Sequence, residues 1–142
     1  MNDPGRDVRS IDEILAAARA RLERVEPEAL EREGANGAVI DDIRPLEQRT
    51  RDGALPGAIV IDRNILEWRL DPASEHHIAA VTGYDIRIVI VCNEGYSSSL
   101  AAALLHDVGL RRATDLIGGF QAWLHIDCLS SPVEQPRSRT SH

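Results

Sequence analysis

Four consecutive β-branched residues, Ile88-Val89-Ile90-Val91, constrain this chain more than any other stretch. An apolar run with no polar alternation reads as a strand buried on both faces, the kind found in parallel sheets. Leu100 to Leu105 follows closely and is rich in Ala and Leu, which favours helix. Between the two lies a short polar loop, Cys92 to Ser98. A thiol therefore sits at the C-terminal end of a buried strand and just before a helix N-terminus. Open α/β sheets place their ligands at that position.

The first turn of a helix carries free backbone N–H groups and the positive end of the helix dipole. If the loop curls around Cys92, those groups converge on its sulfur. They then favour a thiolate, a bound anion or a Cys–S–S⁻ persulfide. Gly95 gives the turn a backbone freedom that other residues lack. Ser97 and Ser98 can cap the helix or donate hydroxyls to the same anion. The plain alternative is a buried structural cysteine, because free cysteine is among the most buried residue types. Spacing alone leaves the two readings level.

Cys92-Asn93-Glu94-Gly95-Tyr96-Ser97-Ser98 resembles the active-site loop of single-domain rhodaneses, a sulfurtransferase family whose loop reads C-x-x-G-x-[ST/R]-S. Asp42-Ile43-Arg44, with Glu47 after it, resembles the family's D-[VT]-R and the acid that follows. Gly53-Ala54-Leu55-Pro56-Gly57-Ala58 resembles its G-H-I-P-G-A, and Gly118-Gly119-Phe120-Gln121-Ala122-Trp123 its G-G-[FW]-x-x-W. The four motifs stand in the family's order across residues 38–124. The resemblance implies an α/β, doubly wound fold, with a mainly parallel sheet flanked by helices; an extra N-terminal helix, read from the sequence itself, lies outside the motifs. It implies transfer of a sulfane sulfur from thiosulfate or a low-molecular-weight persulfide to a thiophilic acceptor. Cys92 is the implied nucleophile and persulfide carrier. Asn93, Glu94, Gly95, Tyr96, Ser97 and Ser98 form the loop that holds the sulfur. Asp42 and Arg44 are implied to tie neighbouring backbone together. No cofactor is implied beyond the transferred sulfur.

The 142 residues suit one domain with a real core. A flexible N-terminus over 1–9, a domain over 10–128 and a disordered Ser-, Pro- and Arg-rich tail over 129–142 are expected. Net charge is −7 and no basic run appears, so nucleic acid is not the expected partner. All 16 basic residues are Arg, which reads as composition bias, and no Arg cluster stands out along the sequence. No apolar run reaches membrane-spanning length, and there is no signal-peptide pattern. Two cysteines, Cys92 and Cys128, make no disulfide framework, so a cytoplasmic location is expected. Cys128 reads as an ordinary surface thiol.

Ser10-Ile11-Asp12-Glu13 has the form of a capping box. A helix should follow to about Val25, with Ile11, Ile14, Leu15, Ala18, Leu22 and Val25 on one stripe covering a sheet face. Pro27 suits the start of a second helix, Glu28 to Arg32, ended by Gly34 and Gly37. Further strands are expected at Ala38–Asp41, Ala58–Ile61 and Thr114–Ile117. Further helices are expected at Leu46–Arg51, Ala73–Val81 and Ser98–Val108, the last capped by Gly109, and after Gly118-Gly119. Phe120 and Trp123 read as core. The strand–helix alternation demands right-handed crossovers. His76 and His77 point to different helix faces, and no metal motif appears.

Glu94 sets a problem, because the loop carries an acid and no cation of its own. A dianion such as thiosulfate is repelled there, and a compensating cation must come from elsewhere. Asp62 to Pro72 leaves the C-terminal end of the second strand, on the same rim as Cys92. Arg63 and Arg69 are the nearest candidates by topology, with Trp68 as a pocket wall. The level alternative pairs both arginines with Asp62, Glu67 and Asp71. A thiol phosphatase would need Arg six positions after the cysteine, where Ser98 stands. A non-catalytic rhodanese-like binding module or sulfur carrier is the other rival, and Glu94 favours it over fast thiosulfate turnover. The expected partners are a small sulfur donor and a thiol acceptor, free or on a protein.

Overall fold

The computed structural model describes residues 8–130, with side chains described as far as residue 127. Strands β1 (Val39–Asp42), β2 (Ile59–Val60), β3 (Ile88–Val91) and β4 (Ala113–Asp115) form a sheet in the order β2-β1-β3-β4. Every pairing is parallel. The helices are α1 (Ile11–Ala20), α2 (Leu30–Ala35), α3 (Leu46–Asp52), α4 (Leu66–Leu70), α5 (Ser97–Val108) and α6 (Gly119–Ser130). Short 3₁₀ turns at Pro27–Ala29 and Arg63–Ile65 lead into α2 and α4.

The β-branched run lies at the centre of the sheet and is fully buried. Its alternate residues feed two cores, as the pleat requires. Ile88 and Ile90 pack with Leu66 and Leu70 of α4 and with Ala101, Ala102 and Leu105 of α5. Val89 and Val91 pack with Leu30 of α2, Leu116 and Phe120 of α6. Helices therefore cover both faces, and the doubly wound expectation holds.

The N-terminal capping box forms as read: Ser10 Oγ accepts from the Glu13 amide, and Glu13 accepts from the Ser10 amide. The helix stops at Ala20 rather than near Val25. Val25 instead makes a parallel bridge with Leu116, its amide donating to the Asp115 carbonyl at 2.9 Å. A β-branched residue buried at a sheet edge outweighs another turn of helix. Nor does α1 cover a sheet face. It packs on α5, burying Leu15 and Ala18 while Ile11 and Ile14 stay exposed.

Ala73–Val81 is not a helix but a series of tight turns. Asp71 Oδ1 accepts from the Ala73 amide and Ser74 Oγ from the His76 amide. Side-chain oxygens that capture backbone donors in this way compete directly with the helical ladder. The second helical segment runs on through Gly34 to Ala35, and β2 keeps only two exposed residues at the sheet edge. Helix α6 extends past Leu124 and includes Leu129 and Ser130, two residues expected to be disordered. The rest of that tail, residues 1–7 and the Cys128 side chain lie outside the described part. Among the described residues no helix is long and apolar enough to cross a membrane.

Candidate active site

Cys92 directly follows β3, and α5 begins five residues later. Two loop amides point at its sulfur: Gly95 N–H donates to Sγ at 3.1 Å and Ser98 N–H at 3.4 Å. Sγ in turn donates to Ser98 Oγ at 3.2 Å. The cradle expected from Asn93 to Ser98 is thus narrower, built by Gly95 and the first turn of α5. Ser97 and Ser98 make no cap for α5. Ser98 is buried beside the sulfur, whereas Glu94, Tyr96 and Ser97 are exposed.

The glycines explain how the loop closes. Gly95 has φ +86°, and a Cβ there would sit 2.8 Å from the Gly118 nitrogen. Gly119 has φ +64°, and its Cβ would meet the Cys92 carbonyl at 2.6 Å. Only glycine allows backbone to pass this close to the loop. The start of α6 then fixes it from below: the Phe120 amide donates to the Cys92 carbonyl at 2.8 Å and the Gln121 amide to the Asn93 carbonyl at 3.0 Å. Gln121 Nε2 also donates to Asn93 Oδ1. Asn93 therefore anchors the loop and presents its amide oxygen away from the sulfur.

Behind the loop lies a buried polar network. Asp115, the fully buried end of β4, accepts 2.7 Å hydrogen bonds from both Ser98 Oγ and Ser99 Oγ. Arg24 donates to the same carboxylate through Nε at 2.8 Å and Nη2 at 3.1 Å. Arg24 Nη2 and Arg19 Nη2 both reach the Gly95 carbonyl, at 3.2 and 2.6 Å. Arg19 also donates to Ser99 Oγ and lies over the Tyr96 ring, 5.3 Å from its centroid. The N-terminal segment is thus a strap on the Cys92 loop. Sequence reading missed Arg19, Arg24, Ser99 and Asp115. A carboxylate closing an apolar strand was the one available signal; the arginines had none until α1 was seated on α5.

A cavity of about 330 Å³ opens at Cys92, lined by Ile43, Arg44, Pro45, Gln48, Cys92, Asn93, Glu94, Tyr96 and Ser97. Arg63 and Arg69 do not reach it. Arg63 pairs with Glu67 at 2.8 Å, and Arg69 donates to the His76 carbonyl at 2.8 Å. Trp68 is exposed and walls nothing there. The strand order gives the reason: β1 lies between β2 and β3, so the loop after β1, not the one after β2, borders Cys92. Leu66 and Leu70 are fully buried, which makes the stretch after β2 a packing element.

Arg44 does line the cavity, but its guanidinium is engaged. It pairs with Asp42, donates to the Gly53 carbonyl at 2.9 Å and stacks 3.6 Å from the Phe120 centroid. Nη1 has no partner among the described residues, and it is buried rather than open to the cavity. The backbone-tying role implied for Asp42 and Arg44 matches these contacts. Asp41, the neighbour of Asp42, is fully buried, and neither of its carboxylate oxygens has a partner among the described residues. Burial, aided by the Asp42 charge, pushes its carboxyl up to about 7. Among the described residues no cluster of His, Cys, Asp and Glu could hold a metal ion.

The rhodanese-like domain family matches residues 26–126. The thiosulfate sulfurtransferase GlpE of Pseudomonas aeruginosa is 32% identical over 105 residues, covering 74% of this chain and 86% of that protein. A Rhodopseudomonas palustris protein of unknown function, described as a possible tyrosine phosphatase, is 33% identical with a TM-score of 0.76. That likeness covers 84% of this chain and 92% of the other. The human single-domain sulfurtransferase TSTD1 is 26% identical, with a TM-score of 0.60 over 72% of this chain and 95% of that one. The family match spans the strands, the thiol loop and the glycine pair beneath it, and this chain belongs to the rhodanese-like domain family.

Proposed function

We propose that the protein is a sulfurtransferase that carries sulfane sulfur on Cys92 as a persulfide. The observation that carries this reading is the pair of amides, Gly95 and Ser98, aimed at Sγ on the floor of an open cavity. Such donors stabilise an anionic sulfur before and after transfer. In the first step the Cys92 thiolate attacks the outer sulfur of a donor R–S–SH. The donor S–S bond breaks, R–S⁻ leaves, and Cys92 becomes Cys–S–SH. In the second step an acceptor thiolate takes the outer sulfur and returns Cys92 as a thiolate. This is covalent catalysis with ping-pong kinetics.

Charge selects the donor class. Glu94 stands at the cavity, while Arg44, Arg19 and Arg24 are held by Asp42, the Gly95 carbonyl and Asp115. A thiosulfate dianion therefore meets an acid and, among the described residues, no open cation. A persulfide whose charges lie away from the reacting sulfur avoids that repulsion. The name of the GlpE relative supports sulfurtransferase chemistry, and the acid at the cavity supports a persulfide over thiosulfate as the donor. The tyrosine phosphatase description of the R. palustris protein finds no counterpart here. Where a phosphate-gripping Arg would be needed, Ser98 stands hydrogen-bonded to Asp115. Steady-state assays with glutathione persulfide and with thiosulfate, each against cyanide, test the assignment. The persulfide should give the higher kcat/KM; a clear preference for thiosulfate would reverse the donor assignment, and cleavage of an aryl phosphate would reverse the reaction class.

A further inference from the structure

A group of five arginines lies on the other rim, beneath the N-terminal ends of the strands. Arg87 precedes β3 and Cys92 follows it, which separates the two rims by roughly 16 Å at about 3.3 Å per residue. A cavity of about 530 Å³ there is lined by Arg21, Arg32, Arg87, Arg111, Arg112 and His106. No Arg cluster is visible along the sequence, yet the fold makes one. Arg21 caps α1, Arg32 lies on α2, Arg87 leads into β3, and Arg111 and Arg112 lead into β4. A parallel sheet gathers all those strand starts on one edge.

Five of the chain's 16 arginines meet in this cavity, against two lining acids, Glu23 and Glu33. The lining is thus net positive in a chain of net charge −7. Some of that charge is already matched. Arg87 grips Glu33 through Nε at 3.1 Å and Nη2 at 3.2 Å, Arg21 pairs with Asp107, and Arg112 donates to the Asp85 carbonyl. Arg32 and Arg111 are exposed, and their side chains make no hydrogen bond or ion pair among the described residues. The charge of Arg32 is felt nonetheless. The Arg87 hydrogen bond holds the Glu33 carboxyl below its usual range, and the charges of Arg87, Arg32 and Arg112 act in the same sense against the effect of burial.

We propose that this cavity binds a compact, multiply charged anion bearing phosphate or carboxylate groups, gripped by Arg32 and Arg111. Size and lining define the class. The volume falls in the range of small-ligand sites and exceeds what one phosphate fills. The apolar lining is only Ala38 and Ala113, with no Phe, Tyr or Trp ring, and His106 is tied to the Ala113 carbonyl, so no surface is built for a base or an acyl chain. The ligand is therefore polar throughout and carries two or more anionic groups, as pyrophosphate, a sugar bisphosphate or a tricarboxylate does. Paired guanidinium groups suit such anions through charge-assisted hydrogen bonds.

The test is calorimetric titration of the full chain with inorganic pyrophosphate, and separately with citrate, at near-physiological salt. Saturable binding of at least one is expected, weakening as salt rises. The Arg32→Ala/Arg111→Ala double variant should lose at least roughly tenfold in affinity, the effect of losing a charge-assisted hydrogen bond. Its thermal melting should change little, since neither side chain makes a hydrogen bond or ion pair among the described residues and Arg32 acts on Glu33 only through its charge. Cys92→Ser should bind as the wild type does, because the site lies on the other rim. Absence of binding by both anions, or undiminished binding by the double variant, would overturn the proposal. So would competition by thiosulfate at Cys92, or a single-stranded oligonucleotide that binds more tightly than either anion and needs the same two arginines.

Discussion

The two rims of the sheet use the same residue in opposite ways. At the C-terminal rim every arginine near Cys92 among the described residues is engaged. Arg19 and Arg24 hold the Gly95 carbonyl, Arg24 also neutralises Asp115, and Arg44 is paired with Asp42. At the N-terminal rim Arg32 and Arg111 face a cavity with no partner among the described residues. The difference lies in the supply of acceptors. A tight loop over a thiol exposes carbonyls, and a buried carboxylate demands donors, so cations there become structure. Strand starts offer fewer such acceptors, and cations there remain available to ligands. Counting arginines in a sequence cannot separate these roles.

The largest expected effect is at the thiol itself. Cys92→Ser should abolish sulfur transfer while leaving the folded state nearly as stable, measured by cyanide assay and urea unfolding. The comparison sharpens next at Arg24. Arg24→Ala strips Asp115 of its only cation among the described residues and should cost about 3 kcal/mol in urea unfolding, toward the lower end for a broken buried pair because Arg24 is partly exposed. The double variant with Asp115→Ala should recover part of that loss. If Arg24→Ala alone were neutral, the strap would be decorative.

Asp41 is the reverse case, an acid at the same sheet with no donor. Its carboxyl is protonated more tightly in the fold, at about 7, than its ordinary 3.8. Stability from this group is therefore complete at low pH and declines as pH rises from about 4 towards 7. The decline between pH 5 and 8 amounts to roughly 3 kcal/mol. Unfolding free energies at those two values should show it in the wild type and not in Asp41→Asn. Equal slopes in the two proteins would mean that Asp41 has a partner in solution. The smallest effect belongs to Glu94. Glu94→Lys puts an open cation where the rim has none, and KM for thiosulfate should fall severalfold. An unchanged KM would place Glu94 outside the reach of the donor.

Much of this was legible in the sequence because the features are local. The Ile88–Val91 run, the Cys92–Ser98 loop and the Gly118-Gly119 pair each encode a backbone demand, and each stands where it was read. The errors came from long-range placement. Arg63 and Arg69 looked close to Cys92 only while strand order was unknown; with β1 interposed, their stretch packs Leu66 and Leu70 instead. Arg19 and Arg24 gained their roles from α1 docking on α5, which no periodicity announces. The Ala73–Val81 helix failed to local chemistry, where Asp71 and Ser74 capture backbone amides.

The central claim is the Cys92 persulfide, and intact-protein mass spectrometry reads it directly. The protein is incubated with glutathione persulfide, then divided and treated with cyanide or buffer. The expected result is a gain of one sulfur, about 32 Da, located on Cys92, absent in Cys92→Ser and removed by cyanide. A well-folded sample that gains no sulfur from glutathione persulfide or thiosulfate, or gains it equally in Cys92→Ser, would contradict it.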